Sequence, residues 1–141
     1  VTAQTTLGEG VVARLRVSDA DLAGPILERL VGALAARVDM PVDRLSDAQI
    51  VAAAVAAAAG RATPELPIRV DFSAQDGAVA LRVGPLPDGA AARLVAESAL
   101  PGVGRVLERL PDRWRVEPLG DGEERLELTI AADGVGSPPA R

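Results

Sequence analysis

Residues Ile68 to Val83 read IRVDFSAQDGAVALRV. Ile68, Val70 and Phe72 alternate with Arg69, Asp71 and Ser73, and after a Gln75-Asp76-Gly77 turn Val79, Leu81 and Val83 alternate with Ala80 and Arg82. A period of two on both sides of a tight Asp-Gly turn predicts a β-hairpin with one dry and one wet face. Strands of a doubly wound parallel sheet would instead be nearly continuously apolar. The stretch therefore predicts a mainly antiparallel sheet with helices on one side only.

The flanking sequence extends this layout. Val11 to Ser18 alternates in the same way, with Ala13, Leu15 and Val17 against Arg14, Arg16 and Ser18. Arg113 to Leu119 and Arg125 to Ile130 form a second predicted hairpin about Gly120-Asp121-Gly122, with Trp114 and Val116 expected in the core beside Leu126, Leu128 and Ile130. Between the first strand and the first hairpin, Leu22, Ile26, Leu27, Leu30, Leu34 and Val38 recur at spacings of three and four, the stripe of a long amphipathic helix. Ser18 and Asp19 can cap it, Pro25 is expected in its first turn, and it should end before Pro41. Ser46 and Asp47 offer a cap for a second helix, expected to stop at Gly60. Gly84 to Gly89 reads as a loop, Ala90 to Ser98 as a short helix, Pro101 to Gly104 as an interruption, and Val106 as the start of another short helix. The expected fold is a two-layer α/β sandwich: a mainly antiparallel, mixed sheet with helices on one face. A length of 141 residues favours one domain, placed at 11–130 between a flexible N-terminus, 1–10, and a disordered tail, 131–141.

Composition removes most catalytic templates. The chain has no cysteine and no histidine, so a thiol nucleophile, a thiolate metal site and the commonest general base are all excluded. All 15 basic residues are arginine, which excludes a Walker or Schiff-base lysine and leaves phosphate contacts to arginine or backbone N–H. A net charge of −5 argues against nucleic acid as a partner. No apolar stretch reaches membrane-spanning length, and the first residues lack a signal-peptide pattern, so the expected compartment is the cytoplasm.

The second helix contains VAAAVAAAAG, residues 51–60, with no group able to do chemistry. Together with the loop after Val83 and the Gly102-Val103-Gly104 run, it follows an element order that resembles the GHKL superfamily, the histidine-kinase-like ATPases of the Bergerat fold. The resemblance is nearest to bacterial anti-sigma-factor serine kinases and extends from about Val11 to Ile130. Active relatives carry a glutamate and, four residues on, an asparagine in an EAVxNA pattern, the first polarising the attacking hydroxyl and the second holding Mg²⁺. Laid over that pattern, the two positions here are Ala53 and Ala57, and sliding the match back one turn gives Gln49 and Ala53. The resemblance thus implies a degenerate site with no catalytic base and no metal ligand, and a smaller, drier cavity. The relatives' adenine-binding aspartate directly follows a strand; Asp88, four residues late behind two prolines, is a displaced and vestigial counterpart whose ordinary reading is the cap of the following helix. Gly102 and Gly104 resemble a phosphate-approaching GxG, or else form a turn, and Arg105 or Arg109 can be read as phosphate ligands or as parts of a solvated face.

By that resemblance the chain is expected to be a non-catalytic regulatory module. Its partner would be a sigma factor or an anti-anti-sigma protein, with a homodimer also implied. Two alternatives stand beside this: an ATP-binding serine/threonine kinase using Mg²⁺, and a structural scaffold without nucleotide. Asp19, Asp21, Asp43 and Asp47 sit at expected helix starts, where the helix dipole accounts for them. Arg14, Arg16, Arg69, Arg82, Arg113, Arg115 and Arg125 fall on the wet sheet face with Asp71, Glu117 and Glu127, a pattern of cross-strand ion pairs or of a basic docking face. Phe72 and Trp114, the two aromatics, are expected to be core residues.

Overall fold

The computed structural model describes residues 2–4, 11–65 and 67–133. Its strands are β1 (Thr2–Gln4), β2 (Val11–Val17), β3 (Ile68–Gln75), β4 (Ala78–Pro87), β5 (Ala99–Leu100), β6 (Gly104–Arg105), β7 (Arg113–Gly120) and β8 (Glu123–Ala131). Its helices are α1 (Ala20–Arg37), α2 (Val42–Ala62), α3 (Ala90–Glu97) and α4 (Val106–Arg109). Six strands form one sheet in the order β1-β2-β3-β4-β8-β7, and every pairing is antiparallel, so the expected mixed sheet is a purely antiparallel one among the described residues. Both long hairpins turn on an Asp-Gly pair with positive φ at each residue, 52° and 73° at Asp76-Gly77 and 54° and 74° at Asp121-Gly122. That signature matches the twist of the strands it joins.

The alternation read from sequence sorts the faces. Leu15, Val17, Val70, Phe72, Leu81, Leu126, Leu128 and Ile130 are buried under the helices, while the intervening residues face away. Four departures have local causes. Thr2–Gln4, assigned to a flexible leader, pair with Arg14–Arg16 as a strand. Residues 5–10 of that leader and 134–141 of the expected tail lie outside the described residues, though Ala131 ends β8 and the Ala132 N–H still donates to the Gly77 carbonyl. The expected loop at Gly84 is a continuation of β4: a bulge between Val83 and Leu86 shifts the alternation by one, so Leu86 returns to the core. Gly84 is required there, because at φ 143° an added Cβ would lie 3.1 Å from the Glu124 carbonyl oxygen. Finally, Trp114 is 37% and Val116 40% exposed, not buried. Both stand on the helix side opposite Leu128 and Leu126, but the helices lie over β2, β3, β4 and β8, and the edge strand β7 extends beyond their cover.

The helices form an antiparallel pair built on small residues. Gly24 lies against Ala56 and Gly60 against Ala20, with an added Cβ at either glycine 3.9 Å from the facing methyl. The alanine run lets α2 approach α1 closely, and Ala52, Ala56 and Ala59 are buried at this depth. Asp19 caps α1 as expected, its Oδ1 accepting from the Asp21 N–H at 2.9 Å. With α1 starting at Ala20, Pro25 falls in the second turn, where the ring nitrogen cannot donate to the Asp21 carbonyl. Of the expected stripe, Leu27 and Leu34 are buried and Ile26, Leu30 and Val38 pack at the edge of the core, while Leu22 is 47% exposed; Ala23, Val31 and Ala35 complete the buried face.

The start of α2 differs most from expectation. It begins at Val42 with Pro41 as N-cap, so Ser46 and Asp47 are interior, and it continues two residues past Gly60. Asp47 is drawn to Arg44, whose guanidinium donates to Asp47 at 2.7 Å, to Asp112 at 2.6 Å and to the Ala131 carbonyl at 3.1 Å. Asp112 also accepts from the Ala131 N–H at 2.6 Å. This half-buried network ties the first turn of α2 to the end of β8 and the α4–β7 turn.

Candidate functional site

The solvent-facing side of α2 forms the floor of an open groove of about 550 Å³. Ala53 and Ala57 both line it, on one helical face as their spacing of four demands. Its walls include Ile50 and Leu100, 42% and 46% exposed, and Gln49 and Glu28 stand at the polar end. No cation is among the lining residues, and the one ionised group, Glu28, would repel phosphate. What the groove offers is apolar contact: methyl groups on the floor and two aliphatic side chains at the walls.

The glycine pair is near this groove in the chain but differently used. Leu100 belongs to β5, and β5 pairs with β6 around a turn containing Pro101, Gly102 and Val103, with Gly102 at φ 81° and Gly104 at φ 84°. The expected interruption is thus a small hairpin. The Arg109 side chain lies over Gly104, its Nε 3.1 Å from where a Cβ would be, and Arg105 makes a 3.8 Å ion pair with Glu108. The N–H groups that open α4 already have partners: Val106 N–H donates to the Ser98 carbonyl and Leu107 N–H to Ser98 Oγ, each at 3.1 Å. Ser98 is buried and itself donates to the Val95 carbonyl. The Val106 and Leu107 N–H groups are therefore committed within the fold and do not face a phosphate.

Asp88 is exposed and caps nothing through its side chain; the N-cap of α3 is Gly89, in the left-handed region at φ 89°. The anion at this helix start is Glu124 from β8, whose Oε2 accepts from the Gly89 N–H at 3.1 Å and the Ala91 N–H at 2.9 Å. Asp88 does not line the α2 groove. The structure brings Ala53 and Ala57 into one groove with Leu100 and leaves Asp88 apart from it.

On the opposite side of the sheet, four of the seven arginines form cross-strand ion pairs. Arg14 meets Asp71 at 3.4 Å, Arg82 and Arg115 meet Glu127 at 2.8 and 2.7 Å, and Arg125 meets Glu117 at 2.5 Å. Burial alone would raise the Glu127 pKa, but hydrogen bonds and charge from Arg115 and Arg82 outweigh it and hold the carboxyl below the usual range. The Arg125 hydrogen bond and charge lower Glu117 likewise. Arg16, Arg69 and Arg113 have no acidic partner among the described residues.

Sequence reasoning missed Arg44 and Asp112, which are 68 positions apart and show no local pattern. Glu124 was missed because a cap from another strand leaves no trace near the helix it caps. No helix among the described residues is long and apolar enough to cross a membrane. A scan of the chain against protein-family models and a search among curated proteins return no match.

Proposed function

We propose that the chain is a non-catalytic regulatory module that binds a protein partner through the apolar groove on α2. The observation that carries this reading is the lining at Ala53 and Ala57. A phosphoryl-transfer site needs its base and Mg²⁺ ligand at these two positions, and Ala53 and Ala57 supply methyl groups; the groove adds exposed Ile50 and Leu100, a polar end of Ser46, Gln49 and the α1 carboxylate Glu28, and no cation. An exposed aliphatic wall over a small-residue floor is suited to receiving an apolar side chain of another protein. From the resemblance of the element order to anti-sigma-factor serine kinases we take the partner to be a sigma factor or an anti-anti-sigma protein.

Two measurements test this. Melting of the full chain is followed with and without about 1 mM ATP and Mg²⁺; the expected result is an unchanged Tm, because a ligand stabilises only in proportion to its occupancy. A micromolar Kd for ATP would sink the proposal in favour of the kinase reading, since about 8 kcal/mol of binding would then have to come from groups the groove lacks. Binding to purified sigma factors and anti-anti-sigma proteins is then compared for wild type and Ala57→Arg. At least a tenfold loss on placing a charge in the groove is expected, and binding to none of them, or binding indifferent to Ala57→Arg, overturns the assignment.

A further inference from the structure

Antiparallel register places Arg16 of β2 directly opposite Arg69 of β3 on the face of the sheet away from the helices. Side chains so paired have Cβ atoms about 5 Å apart, and like charges there are destabilising. The neighbouring pair in the same ladder, Arg14 and Asp71, is compensated at 3.4 Å; Arg16 and Arg69 have no acid within ion-pair distance among the described residues. They line a hollow of about 370 Å³ that also takes in Arg14, Asp71, Arg125, Pro85 and Leu119, so one carboxylate stands among its four arginines. Asp71 and Glu117 offset Arg14 and Arg125, so two positive charges remain uncompensated on a chain whose net charge is −5. Arg69 and Pro85 also border a second hollow of about 320 Å³, lined further by Pro67, Pro87, Gly122 and Glu123.

We infer that this hollow binds a phosphate monoester, its dianionic head between Arg16 and Arg69 and its organic part along Pro85, Leu119 and the adjoining proline-lined hollow. A phosphate monoester carries nearly two negative charges near neutral pH and three acceptor oxygens, matching two facing guanidinium forks; a single carboxylate would leave one charge uncompensated. Binding converts a repulsive cross-strand pair into two attractive contacts, so the ligand also relieves a stress in the free protein. The site is on the opposite side of the sheet from the α2 groove and does not depend on the function proposed for that groove.

The test follows Tm of the full chain in sodium phosphate and in sodium chloride of equal ionic strength. Wild type is expected to melt several degrees higher in phosphate. Arg69→Gln should melt higher than wild type in chloride, because repulsion is removed, and should lose the phosphate increment; Arg16→Gln should lose it too. Arg113→Gln, which removes an unpaired arginine outside the hollow, should keep it. Titration with a phosphoserine peptide and its unphosphorylated form, beside inorganic phosphate, distinguishes sources. A phosphopeptide at least tenfold tighter than phosphate identifies a phosphorylated protein segment, whereas equal affinities identify a small phosphate ester. The inference is overturned by a wild type with no phosphate increment over chloride, by an increment that survives in Arg16→Gln and Arg69→Gln, or by one lost equally in Arg113→Gln.

Discussion

At the scale of single residues, Glu127 shows how the outer face is held. Its two oxygens take one arginine each, Arg82 from the neighbouring β4 and Arg115 from β7 on the other side, so one carboxylate links three strands. Its pKa in the folded chain is held below the ordinary glutamate range, because the two arginines outweigh the cost of burial. A group with a depressed folded pKa contributes stability that is fully present above its unfolded pKa and is lost as pH falls through the folded value. Glu127→Gln should therefore destabilise the protein at pH 7, by about 1–2 kcal/mol for lost charge-assisted hydrogen bonds. The gap between variant and wild type should close as pH drops below about 4.5 toward the folded pKa, because both side chains are then neutral. Urea unfolding of both proteins across pH 2–7 checks this, and a gap unchanged at the acid end would remove the ion pairs as its cause.

At the scale of elements, glycines with opposite surroundings separate packing from backbone conformation. Gly60 sits in a helix with ordinary contact distance to Ala20, so Gly60→Ala should stabilise by about 0.5–1 kcal/mol through helix propensity. A leucine at the same place should cost about 1–3 kcal/mol by forcing the helices apart. Gly84→Ala meets both a φ of 143° and the Glu124 carbonyl, and should cost about 2–3 kcal/mol. Thermal melts of the three variants rank them. Element type and order were largely legible in the sequence because each depends on a local period: two for the strands about Asp76-Gly77, three and four for α1. The start of α2 was not legible. Ser46 and Asp47 have the chemistry of a cap, but the fold begins the helix at Pro41 and directs Asp47 to Arg44, whose further partners come from β8 and the α4–β7 turn.

At the scale of the whole molecule, a period tells which face a residue occupies but not what covers that face. Trp114 has the same parity as the buried residues and is nevertheless exposed, since the helix layer stops short of β7. Trp114→Ala should accordingly cost far less than Phe72→Ala, about 1 kcal/mol against 3–5, by denaturant unfolding. Candidate sites were legible to a similar degree. Ala53 and Ala57 share a groove as their helical spacing requires, whereas the facing of Arg16 and Arg69 depends on a register set between strands 53 positions apart in the chain. The strand order has a consequence for the chain as it is made. β4 pairs with β8, so the edge of β4 beside Val79, Leu81 and Val83 stays open until residues 123–131 have left the ribosome. β7, synthesised earlier, has no seat in the sheet before then. The sheet therefore closes from its middle only once β8 is made, and a nascent chain stalled in the Gly120–Gly122 turn would present an unpaired apolar strand edge to its neighbours.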